Sequence, residues 1–168
     1  MVGGLRRIAS TPSLASGSLQ NLFLAVWRVE THRAAVDLLY GGVRSLIREW
    51  PDGVGMMLFV ELGTVLPVPE LRDYMLEQRR SVAPHLIAAS LTVPGDGLWS
   101  ATVRTIAVTL GLASGTIYPS KSFADLHEAA AWQVGRMGAD FSVPAESLVR
   151  ALQMLRENEA SQPQGSSV

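Results

Sequence analysis

The apolar positions of this chain fall into two alternating kinds of run. LFLAVWRV (22–29) is short, continuous and rich in branched side chains, the pattern of a strand buried on both faces. THRAAVDLLYGGVRSLIREW (31–50) instead spaces Val36, Leu39, Val43, Leu46, Ile47 and Trp50 along one helical stripe, with Thr31 as its N-cap. Gly41 and Gly42 weaken such a helix by about 1 kcal/mol each relative to alanine, so close packing is the expected reason for them. Pro51-Asp52-Gly53 ends it. GMMLFVEL (55–62) predicts a second strand, and PELRDYMLEQRRSVAP (69–84) a helix with Leu71, Met75 and Val82 inward and its arginines in solvent. HLIAASLTV (85–93) predicts a third strand, broken by PGDG (94–97).

LWSATVRTIAVTLGL (98–112) then reads as an amphipathic helix with Leu98, Trp99, Val103, Ile106 and Leu110 inward, its end bracketed by Gly111 and Gly115. TIYPSKSF (116–123) holds a short strand whose proline points to a sheet edge. Ser122 is the expected N-cap of ADLHEAAAWQVGRM (124–137). Pro144 opens a last helix with Leu148, Leu152 and Leu155 on one face. The order is four consecutive β-α units plus a C-terminal helix. That pattern predicts an α/β fold with a mostly parallel sheet and right-handed crossovers.

Outside this body the signals fade. Residues 1–20 are rich in Gly, Ser and Pro without a period, and are expected to be a flexible tail. The polar residues 158–168 are expected to be disordered, leaving 21–157 as one domain. Hydrophobic residues make up 48% of the chain and charged ones 17%, which describes a folded protein. The formal net charge of −1 removes the electrostatic ground for a nucleic-acid partner. Cysteine is absent, which excludes disulfides, thiolate metal sites and cysteine nucleophiles. No apolar run approaches the roughly 20 residues of a membrane-spanning helix, and no continuous apolar core follows the early arginines. The cytoplasm is the expected location.

Candidate chemistry gathers at the carboxyl ends of the strands, where sheets of this class meet ligands. The loops expected there, GTVLPVP, PGDG and PSKS, offer Thr64, Asp96, Lys121 and Ser122 with backbone donors at helix starts. No GxSxG elbow, HExxH, Walker A loop or GxGxxG occurs, and the three histidines are scattered. The expectation is a protein without catalysis, cofactor or metal. Trp27, Trp50, Trp99 and Trp132 sit on predicted strands or amphipathic helices without basic interleaving and read as core or interface filling. RRIAS (6–10) resembles a basophilic kinase target at Ser10.

The succession of β-α turns, with SFADLHEAAAW (122–132) near its end, resembles the STAS-like fold of the anti-sigma-factor antagonists. The resemblance covers roughly 22–137. It implies a non-catalytic module that docks on a signalling partner through the loop and helix after a central strand. In that family the loop matching 62–70 carries an aspartate and a phosphorylatable hydroxyl beside a glycine. Here it reads Leu62, Gly63, Thr64, Val65, Leu66, Pro67, so the aspartate is missing and Thr64 is the hydroxyl in place.

The expected function is therefore docking of a protein partner, a second copy of the chain included, through Thr64, Val65, Leu66, Val68 and Glu70. Exposed apolar side chains in that loop would form the patch. The alternative is a small-ligand site, for a lipid or an anion, or an enzyme, built from the edge loops around Asp96, Lys121 and Ser122.

Overall fold

The computed structural model describes residues 4–113, 115 and 117–157. Its strands are β1 (Arg6–Ser10), β2 (Leu14–Leu19), β3 (Leu22–Trp27), β4 (Val54–Val60), β5 (Leu86–Thr92) and β6 (Ser120–Phe123). Its helices are α1 (Arg33–Glu49), α2 (Pro69–Val82), α3 (Leu98–Ala113), α4 (Leu126–Arg136) and α5 (Ala145–Glu157). The strands form one sheet in the order β1-β2-β3-β4-β5-β6. The pairs from β3 to β6 are parallel, and β1-β2 and β2-β3 are antiparallel.

The fold is thus α/β on a mostly parallel sheet, with helices on both faces. Strands added one after another in one direction, with crossovers of one hand, keep their helices on one side. Accordingly, residues of α1, α2 and α3 pack on the face that carries Phe23, Ala25, Trp27, Val54, Met56 and Val60. Helices α4 and α5 cover the opposite face over Leu22, Leu24, Val26, Met57 and Phe59. This double cover is why β3 and β4 are continuous apolar runs rather than alternating ones. Leu148, Leu152 and Leu155 are fully buried, as their spacing on α5 requires.

The N-terminal segment departs from expectation. Residues 6–19 are not a flexible tail; they form the strands β1 and β2, and β2 is buried along its whole length. Its small residues serve close pairing. A side chain at Gly17 would meet the Arg6 carbonyl oxygen at 2.8 Å. Thr11 closes the first turn by accepting from the Leu14 amide at 3.0 Å, and Gln20, with φ 49°, makes the two-residue turn into β3. The buried Arg28 ties this hairpin to the far end of the chain, donating to the carbonyls of Leu155 and Arg156 at the end of α5 and to that of Thr11. Residues 158–168, expected to be disordered, lie outside the described residues.

Local caps also differ. His32 rather than Thr31 caps α1, its Nδ1 accepting from the Ala35 amide at 3.2 Å. Asp125 rather than Ser122 caps α4, accepting from the Glu128 amide at 2.9 Å, so Ser122 stays inside β6. Trp50 caps the end of α1 and is 42% exposed rather than inward. Leu98, expected to face inward, is 86% exposed at the first turn of α3.

Candidate functional site

The inward faces of α1, α2 and α3 do not close completely on the sheet. Between them lies a cavity of about 580 Å³, within the range of roughly 300–1,000 Å³ typical of small-molecule sites. Leu58 of β4 and Ala89 and Leu91 of β5 form its floor, and Val103, Ile106 and Leu110 of α3 its roof. The gap follows from how α3 is held. Its N-terminal turns are pinned by Ser100, which donates to the Pro94 carbonyl at 2.6 Å, and by Trp99, whose Nε1 donates to the Thr64 carbonyl at 3.1 Å. At its other end Arg80 donates to the Ala113 carbonyl at 2.7 Å. Between these ties only Ser100 and Val103 of α3 are buried, and the middle of the helix spans the space instead of filling it.

One end of the cavity is bounded by Thr64, Val65, Leu66 and Pro67 at the carboxyl edge of the sheet. Because α3 runs antiparallel to the strands, its C-terminal end and the segment before β6 mark the amino edge. There the lining turns polar, with Arg79, Tyr118 and Ser120. Arg79 Nε donates to Tyr118 Oη at 2.9 Å, and its Nη2 approaches Ser120 Oγ at 3.5 Å. Tyr40, 6% exposed, joins the wall from α1. Burial pushes its phenol up from the ordinary 10.0 to about 12, opposed in part by the nearby Arg79 and Arg44 and reinforced by Tyr118. Tyr40 is therefore a neutral hydroxyl at physiological pH. No histidine or carboxylate lines the cavity among the described residues.

The residues singled out in the sequence are distributed unevenly around this space. Thr64 lines it but is 3% exposed, and its hydroxyl donates to the Glu61 carbonyl at 2.7 Å. It is a buried turn residue whose hydroxyl, a candidate phosphate acceptor by the family resemblance, is bonded within the loop. The apolar loop divides in two. Leu66 packs inward against the core, while Val65 and Val68 are 60% and 58% exposed. Glu70 lies exposed in the first turn of α2. PSKS is largely strand β6 rather than a carboxyl-edge loop. Ser122, in register with Leu91, faces the cavity.

Lys121 lines the cavity through its backbone only. It is in register with Ser90, whose hydroxyl donates to Gln133 Oε1 on α4, so by strand alternation its side chain stands on the opposite face. Its ammonium lies 5.1 Å from the centre of the Phe123 ring there. Asp96 is exposed in the bend before α3 and does not reach the cavity. Ser10 is exposed at the end of β1, in a paired strand rather than a tail.

Arg79 and Tyr40 were the residues to find. Both sit in apolar stripes already visible in the sequence: Arg79 between Met75 and Val82 on α2, and Tyr40 between Val36 and Val43 on α1. A cation interrupting an inward stripe was the available signal, and the arginines of α2 are therefore not all in solvent.

No group of three or more His, Asp or Glu side chains arranged to hold a metal occurs among the described residues. None of the described helices is long and apolar enough to cross a membrane. Comparison of the chain with protein-family models, curated proteins and solved structures finds no match.

Proposed function

We propose that this chain binds a small, largely apolar molecule between its sheet and α3, and holds it rather than converts it. The cavity of about 580 Å³ carries this reading. Its lining is mostly apolar, with scattered hydroxyls and one guanidinium, that of Arg79, at the amino edge, the usual composition of a ligand pocket. A general acid-base pair would need a titratable partner near neutrality in that lining, and the groups there are an arginine and phenols. The test is titration with N-phenyl-1-naphthylamine, an uncharged apolar dye that fluoresces when desolvated. Saturable binding is expected to the natural chain and not to Ile106→Trp, which fills the space from the roof. A folded natural chain that leaves the dye dark would refute the reading.

A second reading is favoured by a separate observation. Val29, Leu62, Val65 and Val68 are each more than half exposed, and the Val65 amide donates to the Val29 carbonyl at 2.9 Å, so their backbones adjoin. An apolar patch at this edge is what the resemblance to STAS-like modules implies for docking a protein partner, a second copy of the chain included. The double substitution Leu62→Asp, Val68→Asp touches no residue that lines the cavity. It is expected to abolish self-association or partner capture while dye binding persists. Association unchanged by the two aspartates would remove this reading.

A further inference from the structure

The polar end of the cavity has a defined charge preference. Arg79 is half-buried, and among the described residues its hydrogen-bond partners are two neutral hydroxyls, of Tyr118 and Ser120; no carboxylate pairs with it. Most of its N–H groups are left for an acceptor that the protein does not provide. Tyr40 brings a second donor to the same wall. Tyr40 is 6% exposed and its phenol is protonated, and no hydrogen bond to its hydroxyl is found among the described residues. The cation and the phenol are close enough for Arg79 to be the largest charge acting on the Tyr40 ionisation. A guanidinium with free donors beside an unpartnered hydroxyl at the cavity wall is an incomplete hydrogen-bond set, and an anionic oxygen pair is the group that completes it.

We propose that the ligand is a single-chain amphiphile with an anionic head, a long-chain carboxylate, seated with its head at Arg79 and Tyr40. Its chain runs beneath α3 along Leu58, Leu91, Val103, Ile106 and Leu110 toward the loop Thr64–Pro67. This rests on the cavity being a ligand site, and adds which end of the ligand goes where and with what charge. The fit is chemical throughout. The floor and roof are apolar apart from the Ser122 hydroxyl beside Leu91, whereas the amino edge offers donors and no acidic acceptor among the described residues. A free fatty acid and a carboxylate-bearing lipid fragment share this chemistry.

The experiment is competition against bound N-phenyl-1-naphthylamine with dodecanoate and with 1-dodecanol, which differ in the charged head, for the natural chain and for Arg79→Gln. Dodecanoate is expected to displace the dye from the natural chain at about tenfold lower concentration than dodecanol, since hydrogen bonds to a charged group are worth about a factor of ten or more. Arg79→Gln is expected to erase that difference while still binding the dye, which also shows that the variant is folded. Equal displacement by the acid and the alcohol from the natural chain would overturn the anionic head and leave the apolar site standing. A dodecanoate preference that survives in Arg79→Gln would overturn the assignment of Arg79. Dye that never binds would remove the ligand site itself.

Discussion

Tyr40 stands in α1 with its ring in the core and its hydroxyl at the cavity wall, and its chemistry predicts a pH dependence of stability. Burial raises the folded-state phenol from 10.0 to about 12, so the unfolded chain ionises first as the pH rises. The contribution is complete below about pH 10 and is lost as the pH climbs toward 12, because only the unfolded state gains from releasing the proton. A shift of this size corresponds to about 3 kcal/mol at most. Tyr40→Phe is expected to flatten that part of the profile, measured by urea unfolding across the alkaline range. At neutral pH the same substitution should leave stability unchanged or slightly raised, since the hydroxyl it deletes has no hydrogen-bond partner among the described residues. A marked loss at neutral pH would mean that the hydroxyl is bonded after all. Arg28 shows the opposite case, a buried cation whose carbonyl partners come from opposite ends of the chain.

Among the elements, α1 offers the sharpest contrast, because its two adjacent glycines have different surroundings. A methyl group at Gly42 would lie 2.7 Å from Phe23 Cε2 and 3.3 Å from Ile8 Cγ2, and Phe23 is fully buried with no room to retreat. At Gly41 it would meet nothing within 4 Å. Gly41→Ala is therefore expected to stabilise by up to about 1 kcal/mol through helix propensity. Gly42→Ala should cost about 1–3 kcal/mol through overpacking. Thermal melts of the two variants should move in opposite directions. The expectation of close packing holds for one glycine of the pair, and helical spacing explains which: Gly42 follows Leu39 by three positions and joins the inward face.

At the same scale, α3 shows what periodicity misses. Its apolar residues mark the helix correctly, but Leu98 points to solvent, and Ile106 and Leu110 line a gap instead of sealing one. Hydrophobicity records that a side chain avoids water. It does not record whether protein or an empty space takes water's place. Lys121 was misplaced for a related reason. Strand alternation makes the face of a residue depend on register, and the register of β6 is set by β5.

Across the whole molecule, six strands from both halves of the chain make one sheet, and that assembly separates the two sources of information. The α/β class and the mostly parallel sheet were legible because they rest on local pattern: unbroken apolar runs buried on both faces, and helical stripes ended by glycine and proline. The hairpin β1-β2 was hidden because its Gly and Ser residues carry no period, and their burial comes from β3 and α1, which pack around them. The cavity was equally hidden. It exists because α3 is tied at both ends, to Thr64 and the nearby Pro94 at one and to Arg80 at the other, and in between does not close on Leu91. Arg79 and Tyr40 come from different helices and line one cavity only when both helices dock on the sheet. Local propensity and burial pattern are properties of neighbouring residues, so the amino-acid sequence alone determined the elements. Register, the seating of α3 and the placing of Arg79 and Tyr40 on one cavity depend on contacts between residues far apart in the chain, so the tertiary structure decided those.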